Sequence, residues 1–371
     1  EVLNVNGNFL KSLEGIIQLN SLVSLNVSHN PNLDKTSLAD VINNNKGLKQ
    51  LFLADMPLDS LADLGGIFIE DEGGKPADFQ LKELNVDSTR LHDVAALVSQ
   101  PGLVNLSFRN NSINVFPDFS QFVSLELLAI GDTGFDNYAL LSPVAGGLKG
   151  LDVSDNALSS EFPFGDFVGL TSLDISGLNL KQLAGIELIV GLEKLNVSNN
   201  RLNGDAITWF FSTVSGLTDL DMSENTVSDS YVMFSQYDTL RRLNLSGMGI
   251  DWFSGLYFPN LKALNISNNE ALEVLGFSGV ELLRLSKLDI SHTQVTLSDF
   301  DVRAIKSLNV RGSKTSTTEL TLALTKMPLL ETLALSDLYD QGGYQDYYPL
   351  FQSIQEPQRL RKLDIAGMYQ E

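Results

Sequence analysis

The stretch Leu22-x-x-Leu25-x-Val27-x-x-Asn30 sets a pattern that runs the length of the chain. It recurs at Leu103-Leu106-Phe108-Asn111, Leu148-Leu151-Val153-Asn156, Leu192-Leu195-Val197-Asn200, Leu217-Leu220-Met222-Asn225 and Leu261-Leu264-Ile266-Asn269. Looser copies begin at Leu48, Leu81, Leu125, Leu170, Leu240, Leu285, Ile305, Leu330 and Leu360, and a truncated first copy runs through Leu3, Val5 and Asn8. That makes about sixteen copies, most at intervals of roughly 20 to 25 residues. The Leu-x-Val alternation is the period of a short strand with one face buried. One such unit cannot bury that face alone, so neighbouring units must stack into a continuous core.

The chain resembles the leucine-rich repeat superfamily over essentially its whole length. The resemblance implies an α/β fold, a curved horseshoe-shaped leucine-rich repeat solenoid of about 16 repeats. A parallel sheet would line its concave face, with short helices and 3₁₀ turns on the convex face. The spacing between Leu10 and Leu22 is similar to the 22-residue class found in bacterial surface proteins and some eukaryotic cytoplasmic regulators. In the family an Asn after the strand points inward and bonds the backbone of adjacent turns. Here Thr89, Thr133, Thr293 and Ser313 are polar substitutes, while Met56, Leu178, Met248, Leu338 and Met368 interrupt the ladder.

Longer spacers are expected to hold helices, beginning at the capping residues Thr36 and Thr318. Phe116, Phe119, Phe122, Phe162, Phe164 and Phe167 read as a stacked aromatic spine in the core. Residues 1–371 are expected to form one solenoid, a fragment without terminal caps, since neither end carries a polar cap and the Cys-containing caps of extracellular animal members are absent. Insertions at 65–80 and 338–349 break the period and map to loops where partners could dock.

Composition narrows the chemistry. With 25 Lys+Arg against 46 Asp+Glu, the formal charge is −21, which disfavours nucleic acid and anionic membranes. The absence of Cys removes disulfides, thiolate zinc sites and a Cys nucleophile. No run of apolar residues is long enough to insert in a membrane. His29, His92 and His292 lack metal-ligand spacing and read as solvated surface residues, so no metal site is expected. No Gly-rich phosphate loop, nucleophile elbow or paired-carboxylate cleft stands out. The sequence predicts no catalytic residue, no cofactor and no enzyme.

Outward strand positions line the concave face. One column is mostly Asn and Asp, the next mostly Ser. Phe52, Arg109 and Arg311 depart from that pattern, far apart in the chain, and are candidate partner contacts because aromatic and Arg side chains anchor interfaces. Tyr339, Tyr344, Tyr347 and Tyr348, on the second insertion, are further candidates. Lys49, Lys82, Lys149, Lys194, Arg241, Arg242, Lys262, Lys287, Lys306, Arg361 and Lys362 fall on one edge of the sheet, where local neutralisation of Asp is the leading account and a docking stripe for an acidic partner or a sulfated glycan the alternative. Asn26, Asn105, Asn110, Asn196, Asn244 and Asn265 head N-glycosylation sequons, usable only in a secreted eukaryotic protein.

These features point to a non-enzymatic protein-recognition or adhesion module, outside the cell or at its surface, with a protein partner. The alternatives are a structural scaffold that assembles end to end or spaces other domains, and a glycan-binding surface protein.

Overall fold

A computed structural model describes residues 1–68, 80–157, 161–227, 231–233, 237–254, 258–276, 282–297, 300, 302–335 and 348–365. The chain divides into two compact units, Glu1–Leu178 and Asn179–Glu371.

In the first unit eight three-residue strands pair in parallel and in chain order. They are β1 (Val2–Asn4), β2 (Ser24–Asn26), β3 (Gln50–Phe52), β4 (Glu83–Asn85), β5 (Asn105–Ser107), β6 (Leu127–Ala129), β7 (Gly150–Asp152) and β8 (Ser172–Asp174). The register is constant: Leu51 lies beside Leu84, Leu84 beside Leu106, and Leu106 beside Leu128. Each of β2 to β8 buries its central Leu and turns its first and third residues outward, as a period of two requires. Burying one such Leu is worth about 1.5–3 kcal/mol. The return segments are α1 (Lys35–Asn44), α2 (Ser142–Ala145) and 3₁₀ turns such as Phe119–Gln121 and Phe164–Asp166.

The second unit repeats the scheme with β9 (Lys194–Asn196), β10 (Asp219–Asp221), β12 (Arg242–Asn244), β14 (Ala263–Asn265), β16 (Lys287–Asp289), β17 (Ser307–Asn309), β18 (Thr332–Ala334) and β19 (Lys362–Asp364). Its helices are α3 (Gly204–Thr213), α4 (Thr317–Leu324) and α5 (Tyr348–Gln352). Between these repeats β11 (Tyr231–Met233), β13 (Trp252–Ser254) and β15 (Val274–Gly276) form a separate three-stranded parallel sheet. The sequence reading anticipated only helices or 3₁₀ turns in the return segments. Aromatic and β-branched residues in these three short runs favour strand instead.

The two expected helices exist, with their caps two residues earlier than read. Asp34, not Thr36, caps α1 by accepting from the Ser37 N–H at 2.7 Å. Ser316, not Thr318, caps α4 by accepting from the Glu319 N–H. The aromatic spine is present in the first unit, extended by Phe108, Phe135 and Tyr138. Its contacts are mostly tilted or edge-to-face, and Phe162 against Phe167 is stacked.

Inward Asn residues hold successive turns together. Asn111 is buried; its Oδ1 accepts from the Thr89 and Leu91 N–H groups, and its Nδ2 donates to the Val86, Phe108 and Arg109 carbonyls. Asn30, Asn156, Asn225 and Asn269 make comparable sets. Where a repeat carries Met248, the next repeat's Asn269 accepts its N–H, so the interrupted ladder still satisfies that donor.

Two buried tyrosines contribute to the pH dependence of stability at alkaline pH. Tyr138 places its hydroxyl in the spine with no hydrogen-bond partner, and burial, aided by Asp136, pushes its pKa up. Burial pushes the Tyr237 pKa up to about 12 from an ordinary value of 10.0. Both folded pKa values lie above the unfolded one, so the associated stability is complete below the unfolded value. It is lost as pH rises through the folded values. Urea midpoints should therefore decline between pH 10 and 12, and Tyr237→Phe should flatten the decline. Tyr138→Phe, which removes an unsatisfied buried hydroxyl, should also stabilise the fold by about 1 kcal/mol at neutral pH.

Candidate partner-binding face

The outward residues of each strand are tied down locally. Asp152, Asp174, Asp221 and Asp289 each close their strand by accepting, through Oδ1, from the N–H and the hydroxyl of the Ser two residues on. The Ser hydroxyl oxygens lie 2.6 Å from the carboxylates. Asn26, Asn196 and Asn265 accept from the corresponding Ser N–H. Asn244 does so too, and also donates to Asp221. The Asp/Asn and Ser columns thus form a turn-closing device repeated along the face, and its carboxylates are committed to the backbone.

Among the described residues, two of the repeats that lack this device are crossed by an Arg. The third residue of β6 is Ala129, and Gly131 stands where the Ser would be. A Cβ on Gly131 would lie 2.4 Å from the Ser154 hydroxyl, so a side chain there would turn that hydroxyl away. Arg109, in the Ser column just past β5, reaches over Ala129 and pairs with Asp152 on β7 at 3.1 Å. In the second unit Arg311, just past β17, reaches over Ala334 and pairs with Asp364 on β19. The sequence reading marked both Arg residues as partner anchors. Each also bridges a missing rung, because Ala leaves room for a side chain to skip one strand. Arg109 is 45% exposed and Asp152 15%, so the pair is worth about 0.5–1 kcal/mol. A double-mutant cycle of Arg109→Ser and Asp152→Asn, followed by urea unfolding, should return a coupling of that size which shrinks in high salt.

The gap at β6 also opens a depression of about 430 Å3 on the outward face of the first unit. Phe52, Leu127, Ala129 and Gly150 supply its apolar surface, while Glu83, Arg109, Asp152 and Asp174 supply charge. Leu127 is 45% exposed and leans over Gly150, where a Cβ would meet its Cδ2 at 2.7 Å. Phe52 and Arg109, far apart in sequence, therefore line one site, whereas Arg311 belongs to the other unit. Sequence reasoning missed Leu127 and Gly150. Their signal was present in the first outward column, where an apolar residue and a glycine follow Gln50, Glu83 and Asn105.

Tyr339, Tyr344 and Tyr347 lie outside the described residues, as do 69–79 of the first insertion. Tyr348 opens α5 and is exposed. Asn105 lines the depression, and Asn110 is exposed on a left-handed turn with φ 53°. His29 and His292 occupy equivalent left-handed turns; His29 pairs with Asp55 at 2.7 Å, and His92 Nδ1 lies 2.8 Å from the Ser112 carbonyl. Along the basic edge, Lys49 and Lys82 donate to carbonyls of the next turn, Arg242 pairs with Asp219, and Lys306 and Arg361 flank Glu331. Among the described residues no group of three or more potential ligands is placed to hold a metal ion. Among them, too, no helix is long and apolar enough to cross a membrane.

Comparison with known proteins agrees with this architecture. A family model described as leucine rich repeat matches residues 190–250. Human lumican is 24% identical over 220 residues, a match covering 58% of this chain and 59% of lumican. A leucine-rich repeat protein of Leptospira interrogans has a similar structure, with a TM-score of 0.58 at 19% identity over 89% of this chain and 94% of its own. The leucine-rich repeat domain of APL1B gives 0.54 at 18% identity, covering 94% and 93%. Sixteen parallel strands built on one repeated signature, with buried Asn residues holding their turns, make this fold a leucine-rich repeat solenoid, in agreement with the leucine rich repeat family match at residues 190–250.

Proposed function

We propose that the chain is a non-enzymatic protein-recognition module that works outside the cell or at its surface. Its contact surface is the depression built on Phe52, Leu127, Ala129 and Gly150, with Arg109 at the rim. One observation carries this reading: the apolar opening lies beside repeats whose outward Asp, Asn and Ser residues are satisfied by their own turns. Such a ladder has little to offer a partner, whereas a desolvable aromatic and aliphatic surface ringed by polar groups is the anatomy of an interface centre. The exposed Tyr348, with Tyr339, Tyr344 and Tyr347, is a second proposed contact, and a glycan on Asn105 would cover the depression. The periodic carboxylates, already hydrogen-bonded on a broad face, offer no poised acid or base, in keeping with recognition.

Site-specific photo-crosslinking tests this. With benzoylphenylalanine in place of Leu127, discrete protein adducts are expected from the secreted and surface fraction of the native source. They should be lost when Phe52→Ser is added. The same group in place of Val168, exposed in the same unit, is the control. Identical adduct patterns from both positions would refute the assignment.

A further inference from the structure

The lining of the depression says what kind of group it accepts, on the premise that it is a recognition site. Three carboxylates, Glu83, Asp152 and Asp174, face it against one guanidinium, that of Arg109. Arg109 is already matched to Asp152, so it does not offset the other two. The carboxylates surround an aliphatic and aromatic surface, with Leu127 45% exposed. We propose that the depression takes a cationic side chain with an aliphatic stem, an arginine or lysine on an extended segment of a basic protein partner. The stem would lie on Leu127 beside Phe52, displacing water from apolar surface, and the cation would meet Glu83 and Asp174.

Charge complementarity favours this occupant over the others. An acidic segment would have to displace Asp152 from Arg109 and approach two further carboxylates, on a chain whose formal charge is −21. A purely apolar side chain would fill the floor and desolvate a lining that carries three carboxylates against one guanidinium. Glu83 accepts from Gln50 and Asp174 from Ser176, which holds both carboxylates in place.

The test uses the full chain with methyl-labelled Leu and three probes, N-acetyl-arginine methylamide, its citrulline analogue and its leucine analogue, each titrated to tens of millimolar at fixed salt. The arginine probe should shift the Leu127 methyl resonances at least five times more tightly than the citrulline probe, which has the same shape without the charge. Asp174→Asn, which keeps the bond to Ser176, should remove that preference. Asp289→Asn, the equivalent ladder residue in the second unit, should leave it intact. Equal affinity for arginine and citrulline, a preference for leucine, or an equal loss in both variants would overturn the proposal. A preference for leucine would overturn the cationic occupant alone and leave the recognition reading standing. If none of the probes shifts Leu127, the cationic occupant is overturned, and crosslinking at position 127 decides the recognition reading by itself.

Discussion

Asn111→Ala should lower the unfolding free energy by about 4 kcal/mol, read as a shift of the urea midpoint. The side chain is buried and serves two backbone donors and three backbone carbonyls, as well as the Thr89 hydroxyl at 3.2 Å. Alanine leaves the Thr89 and Leu91 N–H groups and the Phe108 carbonyl without that partner, while the Val86 carbonyl keeps the Thr89 hydroxyl and the Arg109 carbonyl keeps the Ser88 N–H; each buried orphan costs about 1–3 kcal/mol before relaxation. Asn203→Ala provides the internal scale. Asn203 caps α3 through a single bond to the Ala206 N–H at 2.9 Å and is solvent-accessible, so its loss should cost about 1 kcal/mol. If the two substitutions cost the same, the inward Asn residues are not the ties that their geometry describes.

Phe135→Ala should cost about as much, near 4 kcal/mol, for a different reason. Its ring is buried at the junction of the aromatic spine, 5.0 Å from Phe116, 5.4 Å from Tyr138 and 6.2 Å from Phe119 between centroids. Truncation removes the transfer energy of the ring and leaves a cavity that three rigid neighbours cannot collapse into. Phe135→Leu, which fills part of the space, should recover about half of the loss. Near-UV circular dichroism should weaken in both variants, because the edge-to-face geometry around Tyr138 is lost. Phe9→Ala, at a residue 76% exposed, should fall within about 0.5 kcal/mol of the parent.

The repeat was legible because its physical cause is local: a buried Leu every second residue and an Asn just past the strand are both visible within ten positions. The left-handed turns were legible in hindsight for the same reason. His29, Asp55, Asn110, Asp155, Asn199 and His292 share one repeat position and positive φ, so their polarity reflects backbone conformation. The role of Arg109 was not legible. Its partner lies two repeats away, and the pairing exists only because the residue between them is Ala129. Phe52 and Leu127 line one depression for a similar reason: depth on this face comes from what neighbouring repeats lack, and an absence carries no motif. The return strands β11, β13 and β15 were hidden because three residues are too few to display a period.

The two Arg crossings also bear on how such an array can be rearranged. Most repeats here contact their neighbours through the same rungs, so one could be duplicated, deleted or exchanged with its hydrogen bonds re-formed. The repeats of β5, β6 and β7 are different. Excising the β6 repeat alone would bring Arg109 beside Asp152 on an adjacent strand, too close for a side chain that now spans the width of one, and replacing Ala129 with the usual Asn would block its path. Keeping Arg109 paired with Asp152 requires moving those three repeats as a block, and keeping Arg311 paired with Asp364 requires the same of β17, β18 and β19. Among the described residues, the unit of exchange that preserves these contacts is there three repeats long.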